Sequence, residues 1–143
     1  FLFALLPASL VADDIGPSKI DKRKNSERRS AFSEWMSSDA FSAHCEEQRK
    51  DGKYILYIED DGGYEYRGIF GEVNPRGYYF YYGVKEDTIV SRHKEHSAAG
   101  MKLLTLSESR SDRYSAVWVS ERNFDEVSAQ LETYGIGLAK MGE

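Results

Sequence analysis

The sequence predicts an α+β fold built from repeated helix–β-hairpin units, with a mostly antiparallel sheet and helices on one face. The stretch Arg113-Tyr114-Ser115-Ala116-Val117-Trp118-Val119 echoes Glu65-Tyr66-Arg67-Gly68-Ile69-Phe70-Gly71 at an offset of 48 residues. The same gapless offset pairs Asp39 with Asp87, Gly52 with Gly100 and Leu56 with Leu104. Phe41 to Gly52, Ile89 to Gly100 and Phe124 to Gly135 are each eleven positions apart, an apolar residue opening a helical span that a glycine ends. Self-similarity at such a period marks stacked units that cannot bury their apolar faces alone. The expected domain is a single tandem-repeat body over 31–143, with copies at about 39–72 and 87–120 and a partial copy at 123–139.

In chain order, Phe1 to Ala12 is an apolar run too short to span a bilayer that breaks into Asp13-Asp14. It reads as the truncated core of a secretory signal peptide, with a mature start near Asp13 and a secreted or periplasmic destination. Residues 13–30, with Gly16-Pro17 and many charges but little periodicity, read as a linker. Phe32, Trp35 and Met36 fall at helical spacing and predict a short turn of helix. Ser38 or Asp39 can cap a helix running to Lys50, which Gly52 stops.

Tyr54 to Ile58 is rich in β-formers, and Asp60-Asp61-Gly62-Gly63 is hairpin punctuation before a returning strand, Tyr64 to Gly71. After a turn at Asn74-Pro75-Arg76-Gly77, Tyr78-Tyr79-Phe80-Tyr81-Tyr82 reads as a third strand of the first copy. The second copy places a helix near Thr88 to Ala99 and strands near Met101 to Ser107 and Arg113 to Ser120. The last helix, Phe124 to Tyr134, has Phe124, Val127 and Leu131 on one face and Asn123 and Glu126 spaced as a capping box. Ile136 to Ala139 adds a short strand.

Composition narrows the function classes. A formal net charge of −5 disfavours nucleic acid, since phosphate binding needs clustered Lys and Arg, and the basic run Lys19 to Arg29 lies in the expected linker. The chain has a single cysteine, Cys45, so it forms no internal disulfide. No cofactor motif appears: there is no Gly-rich phosphate loop, Cys pair or Gly-x-Ser-x-Gly elbow.

Ser91 and Lys94 fit the Ser-x-x-Lys pattern in which a lysine one turn away activates a serine, but the companion motifs of that machinery are missing. His93 and His96, with His44 and Cys45 on the equivalent earlier helix, have helical metal-ligand spacing, yet an ordinary histidine is the commoner outcome and no metal site is expected. The aromatic run is different. A strand of five large aromatics faces both sides of a sheet, and an exposed Tyr-rich face suits peptide or sugar contact. The candidate ligand-binding residues are therefore Tyr78, Tyr79, Phe80, Tyr81 and Tyr82, with Arg76 and Arg113 at the rim and helices covering only one face.

The unit formed by a helix opening on an aromatic, a Gly leading into an apolar strand, and a strand reading Arg-Tyr-small-Ala-Val-Trp resembles the bacterial tandem repeat of serine-hydrolase-type proteins. It is similar to the amino-terminal repeats of fungal polyglycine hydrolases. Gly100 to Leu106 and Arg113 to Trp118 match best, whereas the first copy has Glu65, Gly68 and Phe70 in place of the Arg, Ala and Trp. The resemblance covers about residues 35 to 140 and implies an accessory domain beside a separate catalytic one, with no substrate-binding residue carried over. The expected function is a secreted, non-catalytic binding or accessory module whose partner is a peptide, a glycan or a neighbouring hydrolase domain. The alternatives are a small hydrolase using Ser91 and Lys94, or a structural or inhibitor-like interaction domain.

Overall fold

The computed structural model describes residues 15–74 and 76–141, so the apolar run expected as a leader lies outside the described residues. The fold is α+β and its strands pair antiparallel, falling into three sheets.

One sheet joins β2 (Met36–Ser37), β4 (Glu65–Glu72) and β3 (Lys53–Asp60) in that order, with α2 (Ser38–Lys50) between β2 and β3 in sequence. A second joins β5 (Tyr78–Val84), β7 (Tyr114–Ser120) and β6 (Met101–Glu108), with α3 (Glu86–Ala98) between β5 and β6. The element order edge strand, helix, hairpin thus occurs twice.

The two hairpins share a register. Lys53 faces Glu72 as Met101 faces Ser120, Asp60 faces Tyr66 as Glu108 faces Tyr114, and the register slips between Ile55 and Tyr57 as it does between Leu103 and Thr105. The turns also match. Asp61 Oδ1 accepts from the backbone N–H groups of Gly63 and Glu65, and Ser109 Oγ accepts from those of Ser111 and Arg113. Gly52 and Gly100, each at the end of a helix, have φ of +77° and +84°, a conformation that glycine adopts without a Cβ penalty.

Four expectations are corrected. The aromatic run is not the third strand of the first unit: β5 pairs with β7, Tyr79 opposite Trp118, and is the edge strand of the second sheet. Phe32 to Met36 is not a helical turn. The segment is extended, Ser33 bonds to the backbone of Gly68 and Met36 pairs with Tyr66, while the Phe32 and Trp35 rings take the Arg67 guanidinium at 4.0 and 4.6 Å.

Residues 15–30 are folded onto the body rather than forming a linker. Ile15 is 1% exposed within the core, Ser18 N–H donates to Leu106 O, and α1 (Asn25–Ala31) is held by Arg28, which donates to the carbonyls of Asp21 and Tyr134. β1 (Ile15–Gly16) pairs with β8 (Lys140–Met141), and Ile20 bridges Ile136.

The final helix, α4 (Glu121–Thr133), starts before the expected capping box. Asn123 lies in its first turn and donates to Asn74 O instead of capping it. Val127 and Leu131 of α4 join Leu104, Val117 and Val119 on the inner face of the second sheet and Leu56, Ile58 and Ile69 of the first in one core. A second core gathers Ile89, Leu103, Leu106, Tyr114, Ala116 and Trp118 with Ile15 and Ala139. β7 is therefore buried on both faces, which is why Tyr114 to Val119 reads as an apolar run interrupted only by Ser115.

The joint between the units uses side chains on strand edges. β3 is an outer strand, and its carbonyls at Leu56 and Ile58 accept from Thr105 Oγ1 (2.6 Å) and Ser107 Oγ (2.5 Å) of β6. On β6 the corresponding carbonyls, Leu104 and Leu106, accept from the backbone of Ala139 and Ser18. The carbonyls named on the β3 and β6 edges are thus satisfied, by the second unit in one case and by the flanking segments in the other, as buried backbone groups require.

Candidate functional site

The aromatic run sits in the joint between the units. Tyr78, Phe80 and Tyr82 point toward the first unit: Tyr78 donates to Ile55 O at 2.5 Å and lies edge-on to Tyr54, while Tyr82 packs on Phe41 and Tyr66 at 5.0 and 4.7 Å. Burial pushes the Tyr78 phenol well above its usual pKa. The Tyr82 hydroxyl donates to Ser38 O and bonds to Ser42 Oγ. This face packs against the core with its rings partly buried, and Tyr78 and Phe80 also line a cleft of about 580 Å³ beside α2.

The opposite face, Tyr79 and Tyr81, turns toward α3. Tyr79 is 48% exposed and its ring stacks on His96 at 4.4 Å and 16°. His96 is 5% exposed, lies 5.1 Å from Trp118, and has Nε2 at 3.4 Å from the Tyr81 hydroxyl. Burial lowers the His96 pKa, with Glu95 opposing and Arg92 adding to the shift. Tyr81 lies edge-on to Trp118 at 5.8 Å and under the Arg92 guanidinium at 5.4 Å.

Above this stack is a groove of about 720 Å³, lined by Tyr79, Tyr81, His96 and Asn123 and carrying Arg76, Arg122 and Glu95. The size suits a small ligand or a short stretch of a polymer. Its floor is set by backbone needs at one end. Gly77 has φ +69° and a Cβ there would stand 3.0 Å from Ser120 Cβ, while Gly77 O accepts from Ser120 N–H at 2.8 Å.

Of the expected rim residues, Arg76 is at the groove but Arg113 is not. Arg113 forks onto Asp60 at 3.2 and 3.3 Å and lies 4.4 Å beneath the Tyr64 ring, so its guanidinium is committed to the hairpin turns. His96 and Arg122 complete the groove without having been expected there. The one available signal for His96 was its place in the last turn of a helix that ends at Gly100.

Ser91 and Lys94 are both exposed on α3, and no hydrogen bond joins them among the described residues. His44 packs edge-on to Phe70 in the first unit, whereas His93 Nδ1 accepts from Trp118 Nε1 at 3.2 Å in the second. Among the described residues no three His, Cys, Asp or Glu side chains gather as a metal site. Cys45, on α2, is partly buried, and burial pushes its thiol up to about 12. No described helix is long and apolar enough to cross a membrane.

Compared with protein families, curated proteins and solved structures, the chain matches none.

Proposed function

We propose that this chain is a non-catalytic binding module made of two copies of one unit, exported, and acting beside another domain or protein. The register shared by the two hairpins at a constant offset supports the tandem-copy reading. Ligand binding is assigned to the Tyr79 groove. The observation that carries it is the Tyr79 ring, 48% exposed and stacked flat on a buried histidine, so that a large aromatic is held in place with one face toward solvent. Preorganised Tyr surfaces lose little conformational entropy on contact and combine an apolar ring with a polar tip. Arg76, Arg122 and Glu95 add charged hydrogen-bonding groups around it, which suits a glycan or an extended peptide.

The rival reading is a hydrolase using Ser91 and Lys94. An activated serine needs its base within hydrogen-bond reach and shielded from water, and both side chains here face solvent.

The test is calorimetric titration of the chain and its Tyr79→Ala variant with cell-wall glycan fragments and Gly-rich peptides. Loss of about 1–2 kcal/mol of binding on removing Tyr79 supports the groove as a hot spot. Unchanged binding in Tyr79→Ala removes it. A serine-directed probe that labels Ser91 covalently would favour the hydrolase.

A further inference from the structure

A second aromatic platform lies at the other end of the second sheet, away from the Tyr79 groove. Tyr64 is 69% exposed, the most exposed of the large hydrophobic side chains described, and its backbone has φ +73°. Left-handed backbone is costly for a residue with a bulky side chain and is tolerated mainly by Gly, Asn and Asp. The corresponding residue of the second hairpin turn shows what the geometry asks for: Asp112, with φ +58°, occupies the same place in a turn held by the same pair of backbone bonds. The first turn carries a tyrosine where an aspartate fits better.

Packing does not account for that choice, because most of the ring is in solvent. What the structure does is seat the ring on an anchored neighbour. Arg113 lies against one face at 4.4 Å and is itself fixed by Asp60, whose side chain is 2% exposed. Ser111 Oγ donates to Gly62 O at 2.9 Å, locking one turn to the other. Tyr64 and Arg113 together line one side of a concavity of about 1140 Å³. Ser91, Lys85, Lys94 and Ser111 lie around it, and Val90 is its one aliphatic lining residue.

We propose that Tyr64 is the stacking platform of a second ligand site, and that its ligand is a pyranose ring of an oligosaccharide. A flat aromatic face takes the C–H face of a sugar, while a rim of hydroxyls and charges of both signs meets its hydroxyl groups. A proline-rich or apolar peptide would need an apolar rim, which this concavity lacks. The site stands apart from the Tyr79 groove and does not depend on it.

The experiment pairs stability with binding, using cellohexaose and chitohexaose as probes in both the original chain and a Tyr79→Ala background. Tyr64→Asn, which relieves the backbone, is expected to raise the melting temperature by about 2–5 °C and to weaken oligosaccharide binding about tenfold or more. Tyr64→Phe is expected to keep binding within about threefold. Retention of binding in Tyr79→Ala separates this site from the groove. A melting temperature lowered by Tyr64→Asn makes the tyrosine structural and overturns the proposal. So does binding that Tyr64→Asn leaves intact, failure of the original chain to bind either probe at millimolar concentration, or a proline-rich peptide occupying Tyr64 instead.

Discussion

Arg113 reaches from the start of β7 across to Asp60 at the end of β3, its Nη2 and Nε donating to the two carboxylate oxygens at 3.2 and 3.3 Å, with side-chain exposures of 15% and 2%. The pair ties the second hairpin to the first, and it is more sheltered than the other ion pairs seen among the described residues. Removing Arg113 would leave the sheltered Asp60 carboxylate without its cation and with the Gly62 N–H as its backbone donor. Arg113→Ala is expected to cost about 3–5 kcal/mol, read by urea unfolding, whereas Arg92→Ala, whose partner Glu95 is solvent-facing, should cost under about 1 kcal/mol. Equal effects would show that the sheltered pair has no special role.

Trp118 is fully buried between β7 and α3 and spends its indole N–H on His93 Nδ1. Trp118→Ala is expected to cost about 3–5 kcal/mol, and Trp118→Phe less, because the ring volume is partly kept while the hydrogen bond is lost. Denaturant midpoints for the two variants check the order. A Phe variant as unstable as the Ala variant would place the energy in the hydrogen bond.

The His96 pKa is lowered by burial, so the folded value lies below that of the unfolded chain. The sign follows from linkage: stability from the neutral ring is complete above the unfolded value of about 6.5 and is lost as pH falls through the folded value. The expected outcome is that His96→Phe loses less stability than the original chain between neutral and mildly acidic pH, measured by urea unfolding at each pH. Parallel curves for the two proteins would contradict it.

With its thiol pushed up to about 12, Cys45 is almost wholly protonated at neutral pH. Alkylation by iodoacetamide at pH 8 is expected to run on the order of a hundredfold or more slower than for a free thiol, and to reach the free rate in urea. Rapid modification of the folded chain would show that the thiol is open to solvent.

Much of the architecture could be read from residues alone, because it rests on local rules. Gly52 and Gly100 end their helices through a backbone angle that glycine favours, and the aromatic and β-branched residues of Tyr54 to Ile58 and Arg113 to Val119 mark strands. Partners distant in sequence were not readable. Nothing in Tyr78 to Tyr82 says that β5 pairs with β7 instead of β4, and nothing near Arg113 announces Asp60.

Residues 15–30 were missed for another reason. They carry no apolar stripe and are held by backbone bonds, by Ile15 and by a single guanidinium, that of Arg28. The groove was half legible: the aromatics marked its strand, but only pairing and α3 packing decide that Tyr79 is exposed while Tyr78 is not.

The pairing of β1 with β8, with the Ile20–Ile136 bridge beside it, also bears on how fast the protein can fold. The hairpins are local and can form early, but the edge of β6 is completed only when segments from opposite flanks of the chain meet there. Contacts that close so long a loop are late and slow. Until they form, the Leu104 and Leu106 carbonyls present an open strand edge, and the time spent in that state sets the window in which two chains can pair with each other instead.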